Sequence, residues 1–295
     1  MTARGRGPSV PEAVARSAVT RPDDGSPLDE DRLRALALRP FQLFEALEVP
    51  CAYERSFKLE GGVLLAQRYM LAVEIDSIGP QRLLAVCRGL AMPESLFEQF
   101  QRAIATADLA LFGFEGSGQG AIFKAYLEYR LAMHQSLGQT PDPEASYRLH
   151  MGFKWRADSP DEGLTTVYQC WPGLAADTLR ERVDRVYRSM PSPVGRDAMR
   201  TMIDRGLSRM SAADMLFLDV GEAGQPGRGF DLNFYASGLR VADLREPIRD
   251  AARALGVDVS GFDRLMHIAG PKRLGHLSAG LSRGGSEYLT VYFEP

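Results

Sequence analysis

Read for hydrophobic and polar positions, the chain is a series of helical blocks separated by paired runs of strict alternation. The opening pair spans Tyr53 to Asp76. In its first arm Glu54, Ser56 and Lys58 alternate with Tyr53, Phe57 and Leu59. In its second, Arg68, Met70, Ala72 and Glu74 alternate with Gln67, Tyr69, Leu71, Val73 and Ile75, and Gly61-Gly62 supplies the turn. A strand has period 2, so each arm of this predicted hairpin has one oily face and one face of acids and bases.

The pattern recurs four times. The second hairpin turns around Gly116 to Gly120, and Lys124, Tyr126, Glu128 and Arg130 alternate in its return arm with Phe123, Leu127 and Tyr129. The third sets Arg148, His150, Gly152, Lys154 and Arg156 against Leu149, Met151, Phe153 and Trp155, turns at Asp158 to Gly163, and returns as LTTVYQCW. The fourth has arms AADMLFLDV and GFDLNFYAS, with Asp231, Asn233 and Tyr235 on one predicted face. In the last, Thr290, Tyr292 and Glu294 oppose Leu289, Val291 and Phe293. Helical spacing is predicted over 31–47 with a kink at Pro40, over 80–107 with a break near Met92-Pro93, and over 131–137, 174–190, 194–210, 241–255 and 261–269.

Five hairpins in series give ten antiparallel strands, which lose their exposed edges by closing into a barrel. Both helices and strands have apolar faces to bury. The consistent solution turns the oily strand faces outward under a ring of helices and leaves the polar faces lining a lumen. Ionisable groups in a lumen are costly unless paired or facing a charged ligand. A polyanionic substrate would meet that cost.

The expected class is therefore α+β, one domain over residues 29–295, preceded by a tail over 1–28 rich in Arg, Pro, Gly and Asp and predicted to be disordered. That tail has no apolar segment, so neither a signal peptide nor a membrane anchor is expected, and the expected compartment is the cytoplasm. A net charge of -3 leaves no basic excess for a general nucleic-acid binder. The three cysteines and four histidines show no metal-type spacing. The Gly-rich segments have neither P-loop nor dinucleotide spacing.

The layout of helices and antiparallel hairpins around a polar ten-stranded lumen resembles the ABBA barrel of soluble aromatic prenyltransferases. The opening hairpin, ERSFKLEGGVLLAQRYMLAVE, is similar to that of the cyanobactin-type peptide prenyltransferases, with its Glu-x-Ser-x-Lys start and an Arg fourteen residues on. The resemblance implies that Glu54 is the catalytic base. It implies that Arg68 and Lys124 bind diphosphate, with Tyr126 at a hydrogen-bonding position beside them. Tyr235 and Tyr292 match positions that shield the allylic cation. Of an expected Arg-x-Lys-x-Tyr strand only Tyr168 survives, and Glu128 replaces an expected cation, so Lys154 and Arg156 on the neighbouring arm are the candidates for the missing charge.

The chemistry implied is transfer of an isoprenyl group from its diphosphate to a side chain of a ribosomal peptide, with magnesium carried on the diphosphate. Fixed cations stabilise the departing diphosphate, tyrosine faces shield the carbocation, and a carboxylate takes the acceptor's proton. The sequence stops at Pro295 directly after the last strand, which raises the expectation of an open barrel end able to admit a macrocyclic peptide. Glu74, Glu128, Asp231, Asn233 and Glu294 are assigned to the acceptor. Their acid excess suggests a cationic acceptor such as Arg, unless these carboxylates pair within the wall. Two other readings stay open: a prenyltransferase for free tryptophan or another small aromatic, and a barrel that binds an isoprenoid or peptide without catalysis.

Overall fold

The computed structural model describes residues 30–117, 120–139, 145–157, 163–190, 193–222 and 227–294. The predicted tail lies outside these residues, as do the Pro141–Pro143 loop and most of the turn after Asp158. A first helix, α1 (Glu30–Glu45), precedes the hairpin of β1 (Ala52–Glu60) and β2 (Val63–Glu74). Next come the one-turn helix α2 (Ile75–Ile78), then α3 (Pro80–Gly89) and α4 (Glu94–Ala103), interrupted beside Met92-Pro93 as the sequence predicts. The second hairpin pairs β3 (Leu109–Ser117) with β4 (Gly120–Glu128). After α5 (Arg130–Gln139) come β5 (Tyr147–Arg156) and β6 (Gly163–Trp171), then α6 (Ala176–Arg188) and α7 (Arg196–Leu207). The fourth hairpin is β7 (Phe217–Glu222) with β8 (Gly229–Asn233). It leads through α8 (Arg245–Ala254) and α9 (Val259–Ala269) to β9 (Leu274–Leu281) and β10 (Glu287–Phe293).

The ten strands form one closed antiparallel barrel in chain order, completed where β1 pairs with β10, Arg55 opposite Phe293 and Lys58 opposite Thr290. The hairpin turns gather at one end of this barrel and the links to the helices at the other. The apolar strand faces point outward. Phe57, Phe112, Phe114, Phe153, Phe217, Phe230 and Phe293 are all below 2 % exposed and join two core clusters with residues of the surrounding helices. A fully buried Phe contributes about 1.5–3 kcal/mol, whereas buried ion pairs roughly break even against apolar replacements. The shell between barrel and helices therefore carries the stability, which leaves the lumen free to hold charge.

Two polar side chains of that shell are tied to backbone carbonyls. Trp155 points outward from β5 and donates its indole N–H to the Leu90 carbonyl at 3.0 Å; Tyr69 donates from β2 to the Ala37 carbonyl of α1 at 2.5 Å. Helix α1 presents Leu33, Ala37, Pro40 and Phe44 to this core, at the i+4 and i+3 spacing of one helical face. Pro40 lies inside the helix without ending it.

One predicted strand is shorter than expected. The sequence pattern puts Tyr235 on the same strand face as Asp231 and Asn233, but β8 ends at Asn233 and Tyr235–Ser237 form a 3₁₀ turn. The Asn233 side chain causes this by accepting the Tyr235 backbone N–H at 3.0 Å, a local bond that competes with the sheet ladder.

Candidate active site

The site occupies the lumen and has two charged centres. The first lies on the walls of β1 to β5. Register places Arg68 opposite both Ser56 and Glu115, and Lys124 opposite Lys154. Arg68 Nη1 stands 2.8 Å from Glu115 Oε2, and Arg68 Nε donates to Ser56 Oγ at 3.3 Å. Lys124 Nζ donates to the same Glu115 oxygen. Arg68 and Lys124 are 6% and 7% exposed, so both charges are buried. Arg68 Nη1, despite its closeness to Glu115, has no aligned hydrogen-bond acceptor.

Electrostatics at this centre are strained toward more negative charge. Burial disfavours ionisation of Glu115, but Arg68, Lys124 and Lys58 outweigh it and hold the carboxyl well below its usual range. Burial, reinforced by Arg68, pushes Lys124 down to about 7 although Glu115 opposes the shift. Burial likewise pushes Lys154 down to about 8. An incoming anion would relieve this crowding of cations around one carboxylate.

These groups line a cavity of about 270 Å³ that extends toward the hairpin end, where Lys58, Glu222, Arg228 and Arg283 stand. Arg283 and Glu222 pair there at 3.0 Å, and Lys58 lies 4.7 Å from the centre of the Tyr288 ring. Deeper in, Tyr126 and Tyr168 meet edge to face with centroids 5.9 Å apart. Tyr288 and Tyr292 line the same space. Burial pushes all four phenols upward, which keeps them neutral.

The second centre lies toward the helix-linked end. Glu54 on β1 accepts from Tyr235 Oη at 2.5 Å through Oε1 and from His276 Nε2 at 3.2 Å through Oε2. On its other side His276 donates from Nδ1 to Asp231, 2.7 Å from Oδ2 and 2.9 Å from Oδ1. Burial disfavours charge on this ring, but Asp231 and Glu54 outweigh it and push it up to about 10, so His276 is an imidazolium. It stacks on Tyr292 at 3.7 Å and 11°. Gly275 makes the meeting possible: a Cβ there would lie 2.5 Å from Glu54 Oε1 and 2.9 Å from Tyr235 Oη.

The predicted residues thus divide. Arg68, Lys124, Lys154 and Tyr126 converge on the first centre with Tyr168 beside them, and Glu54, Asp231 and Tyr235 converge on the second. Tyr292 stands between the two, lining the cavity and giving one ring face to His276. Four of the five acceptor candidates are otherwise engaged. Glu74 is on the rim 3.5 Å from Arg130, Glu128 is 3.3 Å from His150, and Glu294 is 3.9 Å from Arg273. Asn233 caps the turn that carries Tyr235. With Asp231 on His276, each of these four acids has a basic side chain of the protein beside it.

Three participants were not singled out from the sequence: Glu115, His276 and Tyr288. The alternation of Leu111, Gly113 and Glu115 with Ala110, Phe112 and Phe114 carried the signal for Glu115, since it puts this acid in the phase of the polar face. His276 has no metal-type spacing in the sequence. Its alternation with Leu277 and Ala279 is the cue that places it in the lumen.

No family model matches the sequence, and no curated protein matches it. Solved structures do match its shape. The 6-dimethylallyltryptophan synthase from Micromonospora olivasterospora, in complex with DMASPP and Trp, superposes with a TM-score of 0.57 at 13% identity, over 90% of this chain and 94% of that one. The 5-dimethylallyl tryptophan synthase from Streptomyces coelicolor, in complex with DMASPP and Trp, gives 0.57 at 14% identity over 89% and 91%. PriB in its binary complex with product diphosphate gives 0.55 at 12% identity over 88% of each chain. The fold is that of the ABBA prenyltransferase barrels.

Proposed function

We propose that this protein is a prenyltransferase that moves an isoprenyl group, dimethylallyl or geranyl, from its diphosphate onto a side chain of a ribosomally made peptide. The observation that carries the reading is the pairing, in one lumen, of a buried cation cluster with a separate carboxylate centre and a tyrosine lining between them. Diphosphate at Arg68, Lys124 and Lys154 meets preorganised positive charge as its C–O bond breaks and the electron pair leaves with it. Tyr126, Tyr168 and Tyr288 present ring faces to the allylic cation and exclude water. The acceptor forms its bond to the prenyl carbon and gives its proton to Glu54. That proton leaves an alkylated, cationic acceptor, so a weak base suffices.

Magnesium enters this reading as a counter-ion carried in on the diphosphate and mostly hydrated. Among the described residues no helix is long and apolar enough to cross a membrane.

Two things support a large acceptor. One is the opening hairpin's likeness to peptide prenyltransferases. The other is exposure at the helix-linked end: Tyr235 is 37% exposed, and the Glu54 it touches keeps 20% of its side chain in contact with solvent. A peptide side chain can approach Glu54 from that end while the diphosphate occupies the other. The second reading, a small aromatic acceptor such as free tryptophan, is favoured by the bound Trp in two of the structural neighbours. Incubation with dimethylallyl or geranyl diphosphate, magnesium, free tryptophan and matched cyclic peptides bearing Arg, Tyr, Trp or His separates them. A mass gain of one isoprenyl unit on a peptide is expected. Modification of tryptophan with every peptide untouched would select the second reading, and no transfer to any acceptor would leave a binding barrel.

A further inference from the structure

Two carboxylates from different strands, Glu54 and Asp231, both reach one partly buried imidazole. With His276 removed they would share a site with no cation between them, and two such groups cannot both ionise freely. We infer that His276 is a positioning residue for the base: it holds Glu54 ionised and aimed at the acceptor, and it exchanges no proton with substrate. This rests on the proposed role of Glu54.

Geometry supports the assignment from four sides. Both ring nitrogens are committed to carboxylates, Nε2 to Glu54 and Nδ1 to Asp231, so neither is open to substrate. One ring face is covered by Tyr292. Tyr235 fixes the second Glu54 oxygen. Gly275 leaves the space in which Glu54 and Tyr235 meet. When Glu54 takes the acceptor's proton, His276 and Asp231 remain as a neutral pair, and the ring keeps both of its own protons. No further acid, base or co-reactant is needed.

The other charged or titratable groups facing the cluster are the phenols of Tyr168, Tyr235, Tyr288 and Tyr292, the cation Arg68, and Glu294 with Arg273 at the rim. The phenols are all pushed upward and stay neutral. The acid whose protonation His276 controls is therefore the Glu54–Asp231 pair.

The test follows protonation directly, through the infrared carbonyl stretch of protonated carboxyls during a pH titration of the full chain, alongside the pH profile of kcat/KM. In His276→Gln the shared pair should bind a proton at a pH higher by at least one unit than in wild type. The acid limb of kcat/KM should move up with it, and activity should recover on its alkaline side. In His276→Gln/Asp231→Asn, where Glu54 has no carboxylate neighbour at that position, both should return to within about half a unit of wild type. A uniform loss of kcat with an unmoved limb and an unmoved infrared titration would overturn the inference. If the single variant does not fold, the double variant decides: inactivity at every pH, or a Glu54 titration far from wild type, refutes the role. Wild-type protein that transfers no prenyl group would instead refute the proposed function, while the infrared titration would still judge His276.

Discussion

The two charged centres of the lumen are near mirror images. At one, two cations, Arg68 and Lys124, share the carboxylate of Glu115. At the other, two carboxylates, Glu54 and Asp231, share the imidazolium of His276. Each minority charge pins its neighbours and leaves a surplus of the opposite sign. With Lys154 nearby, and Lys58 already paired with Glu60 at 2.5 Å, the first centre is short of negative charge. The second is short of positive charge by one. The contrast teaches that the barrel does not simply tolerate buried ions. It keeps its buried charges in two compartments of opposite sign with neutral phenols between them, and the proposed function gives one to the leaving group and the other to proton removal.

The comparison breaks most sharply if the centres do not act separately. Glu54→Gln should lower turnover by roughly 10²–10⁴-fold, the scale of a removed general base, while calorimetry with a non-hydrolysable donor analogue shows unchanged affinity. Weakened donor binding in that variant would mean the centres are not distinct. Next in size, Arg68→Ala and Lys124→Ala should each weaken binding of the same analogue by about 10- to 100-fold, since charge-assisted bonds of this kind contribute about 1.5–3 kcal/mol. Wild-type affinity in both would remove the diphosphate site from this wall.

Glu115→Gln sharpens the comparison because its sign is opposite. Diphosphate must displace or share the cations that Glu115 holds, so the variant should bind the analogue about tenfold more tightly, a change of about 1.4 kcal/mol. Its ligand-free form should melt at a lower temperature, with two buried cations left uncompensated. The smallest effect is on pH. Lys124 and Lys154 are pushed down to about 7 and 8 in the empty lumen, and diphosphate favours their charged forms. Donor binding should therefore take up protons, and affinity should fall several-fold as pH rises from about 7 to about 9. Calorimetry in buffers of different ionisation enthalpy measures the uptake, and its absence would show both lysines already charged.

Much of this architecture was legible in the sequence because a lumen wall is written with period 2. Arg68, Lys124 and Lys154 fall on polar phases of separate hairpins, and closure of the barrel makes them neighbours. What escaped depends on contacts that no local window holds. His276 meets Asp231 across 45 residues and Glu54 across 222, so no motif spacing could show the cluster. Glu115 sits among Gly113, Phe114 and Gly116, where the glycines read as the approach to a turn. The strand face expected for Tyr235 is lost for a local reason: Asn233 accepts the Tyr235 N–H, and the strand ends two residues before Tyr235. The acceptor role given to Glu74, Glu128 and Glu294 rested on counting acids on a face, and a count does not show that Arg130, His150 and Arg273 stand beside them.

Closure of the sheet between β1 and β10 also constrains how the chain reaches its native state. Arg55 must find Phe293, and Glu60 must find Tyr288, near opposite ends of the described chain. Pairings so distant in sequence carry a large loop-closure cost and slow the approach to the folded form. During synthesis β1 emerges early, with one edge already covered by β2 and the other bare until the last strand leaves the ribosome. For that interval the nascent protein carries two unsatisfied sheet edges, one at β1 and one advancing with each new hairpin, both open to strands of other chains. The step that seals the lumen is thus also the step that ends the protein's exposure to aggregation, and it comes last.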